Sequence, residues 1–259
     1  VFFNADIGTG ANQELGRLAV DEADGGVTFG EDDTDQGAGT TSFVTSIELT
    51  GDGVNAALDI GTGADEITGT GIIFNGGTAG GVLTLQTTGD AVRLNGAVTL
   101  ETDVRLDTDL SNSEGGNITF TRAATIDSSA SEANDLELDA GTGSVFFNAD
   151  IGTGANQELG RLVVDEADGG VTFGESDTDQ GAGTTSFVTS IELVGDGTAA
   201  NALDLGTGAD EITGTGIVFN GGTAGALLTV QTTGDAVRLN GAVTLETDVR
   251  IDTDSQDAG

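Results

Sequence analysis

Carboxylates are the most abundant groups in this sequence that could do chemistry. The 259 residues include 44 Asp and Glu but only 7 basic residues, all Arg, and the formal net charge is −37. Closely spaced carboxylates in a glycine-rich loop suit a hard cation that prefers oxygen ligands. Calcium is therefore the candidate cofactor, and the loop 31–37 is the first candidate site, with Asp33 and Asp35 as ligands.

A second candidate calcium site lies in residues 61–68. They read GTGADEIT and match the G-x-G-x-D-x-U-x unit of calcium-loaded β-rolls, with Asp65 as the ligand. Later copies of the two segments contribute the further candidate ligands Asp177, Asp179 and Asp210. A β-roll needs this unit every nine residues, whereas here it occurs once in each long repeat. The alternative interpretation of the loop 31–37 is a solvated acidic loop.

The missing residue types exclude several classes of function. No His, Lys or Cys is present, so the commonest general base, the Schiff-base amine and the thiolate ligand are all lacking. Carboxylates are too numerous for the proximity of any two to indicate catalysis, and we expect no enzyme activity. The negative charge would repel nucleic acid and anionic membrane surfaces. No apolar stretch approaches 18 residues, so no membrane insertion is expected.

A long internal repeat sets the organisation of the chain. Residues 1–18 read VFFNADIGTGANQELGRL, and residues 145–162 are identical. Across positions 1–109 we count 12 differences from the copy, which leaves 97 identities. The sequence therefore predicts a first repeat over 1–144 and a second, incomplete repeat over 145–259, joined in one continuous fold. Because position 1 is Val, we expect a processed chain or a section of a longer one.

Short apolar bursts recur within each repeat. Twelve of them alternate apolar-x-apolar and end in a polar residue or Gly, for example VTFG, LTLQ and VRLN. This alternation indicates a strand with one buried face, and no window shows a helical period. Strands of three or four residues are short for a sandwich. Stacked repeats, by contrast, tolerate a repeat boundary that cuts through a strand.

The predicted fold is therefore all-β, a right-handed parallel β-helix (β-solenoid). Burst spacing suggests two strands and about 24 residues per coil, so the chain would form roughly ten coils and a rod on the order of 50 Å long. The Asn that follows many bursts is expected at corners. It would adopt the left-handed conformation there or stack in ladders along the rod, or it is an ordinary turn residue.

Segments such as NITFTRAATIDSS and DAVRLNGAVTLETDVRLDTD resemble the β-strand-repeat arrays of giant bacterial surface proteins. These include haemagglutinin-like and other large adhesins that fold as right-handed β-helices. The resemblance covers the whole chain in style and composition, and it includes no diagnostic motif and no functional residue. It implies a secreted, filamentous protein located outside a bacterial cell or on its surface.

The open ends of such a stack expose strand edges, which are templates for another chain. We therefore expect a structural extracellular fibre or matrix protein. It would continue by end-to-end self-association through its strand edges or as part of a giant repetitive chain. Divalent cations are further candidate partners, because they would screen or crosslink the acidic rods. One alternative is an adhesin stalk that presents a binding domain outside this sequence, and another is a calcium-dependent surface-layer component.

Overall fold

The structure of the protein is a computed structural model. It describes residues 1–30, 44–62, 65–76, 82–110, 115–174, 188–195, 201–207, 211–220 and 227–254. These residues form 23 β-strands and no helix, which confirms the prediction of an all-β fold. None of the described segments is therefore a helix of the length and hydropathy needed to cross a membrane.

In chain order the first twelve strands are β1 (Phe2–Phe3), β2 (Leu18–Val20), β3 (Val27–Gly30), β4 (Ser46–Leu49), β5 (Leu58–Ile60), β6 (Ile67–Asn75), β7 (Val82–Thr87), β8 (Val92–Leu94), β9 (Gly96–Leu100), β10 (Asp103–Asp107), β11 (Ile118–Phe120) and β12 (Ile126–Ser128). The others are β13 (Leu136–Asp139), β14 (Ser144–Phe147), β15 (Leu162–Val164), β16 (Gly170–Gly174), β17 (Ser190–Leu193), β18 (Leu203–Leu205), β19 (Ile212–Asn220), β20 (Leu227–Thr232), β21 (Val237–Leu239), β22 (Gly241–Leu245) and β23 (Asp248–Asp252).

Every ladder between these strands is parallel. Sheet A contains β1-β3-β6-β9-β12 and continues through bridges from Ile151 to Ile126 and Ile191 into β17-β20-β23. Sheet B has the order β4-β7-β10-β13-β15-β18-β21, and a bridge from Ile7 to Ile47 extends it by one position. Sheet C has the order β2-β5-β8-β11-β14-β16-β19-β22.

The chain visits these sheets in the fixed order A, B, C. Ile7 takes the sheet B position between β1 and β2, and Ile151 takes the sheet A position between β14 and β15. We call one passage through the three sheets a layer. The described strands make eight complete layers and end with β23 in sheet A. The sheets continue across the repeat boundary, since β14 includes residues from both sides of it.

The expected coil of two strands and about 24 residues is wrong for most of the molecule. Each layer has three strand positions, one in each sheet, instead of two. Leu85 pairs with Leu106, 21 residues later, whereas Phe173 pairs with Phe219, 46 residues later. Insertions between strands account for this range. At a strand spacing of about 4.8 Å, eight layers extend over about 40 Å rather than the expected 50 Å.

The long repeat does not correspond to a whole number of layers. From β1 to the start of its copy β14, the chain passes 13 strands and Ile7, which makes 14 strand positions. Fourteen positions are four layers and two-thirds of a fifth. Each copy therefore lies in a different sheet from its original: β3 belongs to sheet A and its copy β16 to sheet C, while β4 belongs to sheet B and its copy β17 to sheet A.

The buried faces of the strands form one hydrophobic cluster of Val, Ile, Leu, Ala and Phe. Phenylalanines in paired strands stack on one another, with nearly parallel rings and centroids 4.9–5.4 Å apart. One stack, Phe3-Phe29-Phe74, lies in sheet A, and a stack of four lies in sheet C. This distance matches the spacing of neighbouring strands, so each ring packs on the next layer.

Candidate functional site

Only one of the six predicted calcium ligands lies among the described residues. Asp65 is exposed, its amide donates to the carbonyl of Thr62 at 3.3 Å, and its carbonyl accepts from Asn95 Nδ2 at 3.0 Å. The other five, which are Asp33, Asp35, Asp177, Asp179 and Asp210, lie outside the described residues. Within the described ranges, no three acidic residues are grouped so that they could hold a metal ion. The calcium sites stay a prediction.

The two acidic segments that contain four of these ligands start from different sheets. Gly30 pairs with Asn75 in sheet A, and Val44 pairs with the next residue, Gly76. The residues that flank the first acidic segment, Gly30 and Val44, therefore lie beside consecutive residues of sheet A. The copy of this segment begins after Gly174, which belongs to sheet C. Because the repeat shifts each strand to another sheet, two successive acidic segments do not share one anchoring sheet.

Three carboxylates lie side by side at the C-terminal ends of three neighbouring strands of sheet B; we call Asp107, Asp139 and Asp165 the acidic edge. Asp107 pairs in register with Asp139, and Asp165 directly follows Val164 of the next strand. Burial raises the pKa of Asp139 to about 6, and the negative charges of Asp107 and Asp165 act in the same direction. Asp139 therefore titrates closer to neutral pH than an ordinary aspartate.

Arginines offset part of this repulsion. Arg105 Nη1 lies 2.9 Å from Glu137 Oε1, and Arg105 Nη2 lies 3.4 Å from an oxygen of both Asp107 and Asp139. Arg105 thus joins β10 to β13. Elsewhere Asp59, in β5, accepts ion pairs from two neighbouring strand segments, with Arg17 Nη2 at 2.7 Å and Arg93 Nη1 at 3.5 Å. These three arginines therefore connect successive layers through their outward faces.

The asparagines that follow the bursts bind the backbone of a neighbouring layer. Asn95 Nδ2 donates to the carbonyls of Gly61 and Asp65, both at 3.0 Å, and Asn148 Nδ2 donates to the carbonyl of Phe120 at 3.1 Å. The left-handed conformation expected at these positions occurs instead at Asn12 and its copy Asn156, with φ of 57° and 58°. The expectation that the Asn after a burst adopts the left-handed conformation at a corner is therefore wrong.

A shallow depression of about 280 Å³ lies on the outer side of sheet C. Phe146, Thr172 and Val218 form part of its floor, and Glu246 is the one titratable residue among those that line it. A pair of acid and base groups would be needed for proton transfer to and from a substrate. The depression provides no such pair.

The first layer exposes apolar side chains that are buried in its copy. We call β1, Ile7, Leu15 and β2 the N-terminal surface. Leu15 is 41% exposed, while its copy Leu159 is 0% exposed. Ile7 is partly exposed, and its copy Ile151 is fully buried. Because the local sequences are identical, position in the stack determines the exposure.

The last layer shows the same contrast. We call β21, β22 and β23 the C-terminal surface. Leu245 is 60% exposed and Ile251 is 45% exposed, whereas their counterparts Leu100 and Leu106 are both 0% exposed. The two terminal surfaces therefore combine apolar side chains with strand edges, which are the features of an interaction surface.

The terminal surfaces are the strongest candidate functional site in the described residues, and the acidic edge lies between them. Sequence reasoning identified open strand edges at the ends of the stack but could not identify the residues that form them. The repeat does contain a signal for these residues, because each terminal segment has a copy in the interior of the molecule. No protein-family model, curated protein or solved structure matches the chain.

Proposed function

We propose that the chain is a structural β-solenoid. The three sheets are the faces of a right-handed parallel β-helix, each layer is one coil, and the molecule is part of an extracellular fibre or matrix at a bacterial cell surface. One observation carries this proposal: β14 pairs with β11 on one side and with β16 on the other. Strands from both repeats thus stack in one sheet, as in solenoids.

The order of the sheets supports the coil. Consecutive strands never pair with each other, and each pairs with the strand of the same sheet one layer away. Parallel strands connected in this way favour a right-handed path. The interior is then closed by three faces, and stability comes from neighbouring layers rather than from a compact globular core.

The charge of the molecule suits a solvated rod. Its net charge of −37 would keep separate rods apart and in solution. Most ion pairs of the described arginines join neighbouring layers rather than forming a basic patch, so we propose no nucleic-acid or membrane partner. We also propose no catalytic role, because the function of a fibre depends on its length and surface rather than on one site.

Diffraction and microscopy test this proposal directly. Oriented samples of the purified chain should give a reflection near 4.8 Å along the rod, and cryo-electron microscopy should show rods about 40 Å long. An antibody raised against the purified chain should label filaments or matrix outside the source cells, and preabsorbed antibody is the control. A globular particle without the axial reflection contradicts the solenoid. Labelling confined to the cell interior contradicts the extracellular role, and labelled stalks that carry a distinct terminal module favour an adhesin.

A further inference from the structure

We propose that each terminal surface binds the layer formed by β11, β12 and β13. This layer would be provided by a further repeat of the same sequence. We call this layer the bridging layer: β11, β12 and β13, or Ile118–Phe120, Ile126–Ser128 and Leu136–Asp139. It occurs once in the sequence, whereas the other ten strands of the first repeat each have a copy. The inference rests on the proposed solenoid and names the partner of its ends.

The interior of the molecule shows how the bridging layer covers a C-terminal surface. Its strands β11, β12 and β13 pair with β8, β9 and β10, respectively. The strands β21, β22 and β23 are the copies of β8, β9 and β10, and residues 237–254 differ from 92–109 only in having Ile251 in place of Leu106. The same three strands can therefore pair with the C-terminal surface in the same register.

The other side of the bridging layer shows how an N-terminal surface is covered. β11 pairs with β14, Ile126 bridges to Ile151, and β13 pairs with β15. These three partners are the copies of β1, Ile7 and β2, and residues 145–164 differ from 1–20 only in having Val163 in place of Ala19. One bridging layer thus has one side for each terminal surface.

Aromatic packing supports this match at the N-terminal surface. Phe120 of the bridging layer stacks on Phe147, with centroids 5.4 Å apart and rings 7° from parallel. Phe3 is the copy of Phe147, and it stacks on Phe29 at 5.0 Å on its other side. A bridging layer that precedes β1 would therefore extend the aromatic stack by one ring.

Charge pairing supports the match at the C-terminal surface. Arg105 Nη1 lies 2.9 Å from Glu137 Oε1 of the bridging layer, and the Arg105 side chain is 34% exposed. Its copy Arg250 pairs with Asp252 of its own strand, and the Arg250 side chain is 60% exposed. A bridging layer would bring the equivalents of Glu137 and Asp139 to Arg250. Local charge complementarity thus exists despite the large negative net charge.

The test extends the chain by one bridging layer. Residues 115–144 are added directly after Gly259, because the five residues 255–259 match 110–114 in number. Amide exchange is then followed residue by residue by NMR. At least tenfold slower exchange is expected at the amides of Val237, Val243, Val249 and Thr253. Their interior copies Val92, Val98, Val104 and Thr108 donate to carbonyls of residues 117–139 over 2.7–2.9 Å.

A second extended chain tests the N-terminal surface in the same way. Residues 110–144 are placed directly before Val1, and slower exchange is expected at the amides of Gly8 and Asp21. Their copies, Gly152 and Asp165, donate to Ile126 at 2.7 Å and to Leu138 at 2.8 Å.

The control carries Ile126→Asp and Leu138→Asp in the added copy only, and exchange at the terminal surfaces should then stay as in the unextended chain. Equal protection by the original and substituted extensions would overturn the inference, as would no protection by either. Protection of the unextended chain that rises with its concentration would instead show direct binding of a second copy. The interior amides of Val92 and Val98 must exchange slowly throughout; if they do not, the stacked fold of the proposed function fails as well.

Discussion

Phe29 and Phe173 are copies of one residue in the long repeat, yet Phe29 lies in sheet A and Phe173 lies in sheet C. Both are fully buried, and each stacks on the Phe of the next strand, Phe29 on Phe74 at 5.4 Å and Phe173 on Phe219 at 5.1 Å. The same local packing is thus built in two different sheets. The sheets offer equivalent interiors, because each layer contributes one strand to each of them.

Truncating a copied leucine should destabilise the protein much more at one copy than at the other. The strands β9 and β22 have the same sequence, but Leu100 is buried and Leu245 is exposed. Leu100→Ala should lower the free energy of unfolding by about 2–5 kcal/mol, because it leaves a cavity. Leu245→Ala should lower it by less than about 1 kcal/mol. Urea denaturation of both variants checks this, and equal losses would contradict the positions of the two strands.

Replacing Asp139 should stabilise the protein above about pH 6. Burial and neighbouring carboxylates raise the pKa of Asp139 to about 6, whereas an unfolded aspartate titrates near 4. Between these values the folded state holds a proton that the unfolded state has released, so stability falls as the pH rises from about 4 to 6. Asp139→Asn removes that penalty, and the expected gain at pH 7 is about 1–3 kcal/mol with little gain at pH 4.

Melting curves of this variant between pH 4 and pH 8 measure the effect. Asp254→Asn, at an exposed position near the end of β23, is the control for loss of one negative charge. A gain at pH 7 that persists unchanged at pH 4 would argue against titration of Asp139. An equal gain in the control would attribute the effect to net charge alone.

Gly174 should not tolerate a side chain. Its φ is +120°, and an added Cβ would lie 1.7 Å from the carbonyl oxygen of Asn220 in the paired strand. Gly174→Ala should therefore cost more than about 2 kcal/mol, from backbone strain and from separation of β16 and β19. Gly16→Ala is the matched control, because its Cβ would have nothing within 4 Å. Thermal unfolding should separate the two variants, and similar melting temperatures would be inconsistent with this close approach.

Salt should stabilise the chain, and calcium should do more if the acidic segments bind it. Screening reduces the self-repulsion of a net charge of −37, so the melting temperature should rise with NaCl. At equal ionic strength, CaCl2 is expected to raise it further than MgCl2. The extra rise should be reduced on combining Asp33→Asn with Asp35→Asn, since the copies Asp177 and Asp179 remain. Identical curves for the two divalent salts would remove calcium as a specific ligand.

Alternating apolar residues were enough to predict most strands. All twelve bursts of the first repeat occur in the structure as strands, including β3 from VTFG and β8 from VRLN. The strand β12 was missed because it has one apolar residue, Ile126, and no alternation is visible. Ile7 was missed for the same reason. These omissions hid one strand position in the layers that contain β12, Ile7 and its copy Ile151. The coil of two strands followed from the spacing of the other bursts.

The terminal surfaces could not be predicted in detail from local sequence. Leu245 and Leu100 have identical neighbours over several residues on each side, so no property of the segment separates the exposed copy from the buried one. Exposure depends on which strand lies beside each of them. The raised pKa of Asp139 depends likewise on the pairing of β10, β13 and β15, which brings Asp107 and Asp165 next to it.

Each repeat ends two-thirds of the way through a layer. This remainder determines which residues the outside of a longer array would display. In the proposed solenoid, each repeat would advance the rod by about 22 Å and would turn every outward residue to the next of its three sides. A given side therefore shows the same residues again only after three repeats, or about 67 Å. All three sides receive the same composition in rotation, so an array made from one repeated sequence has no permanently distinct side by which neighbouring fibres could align.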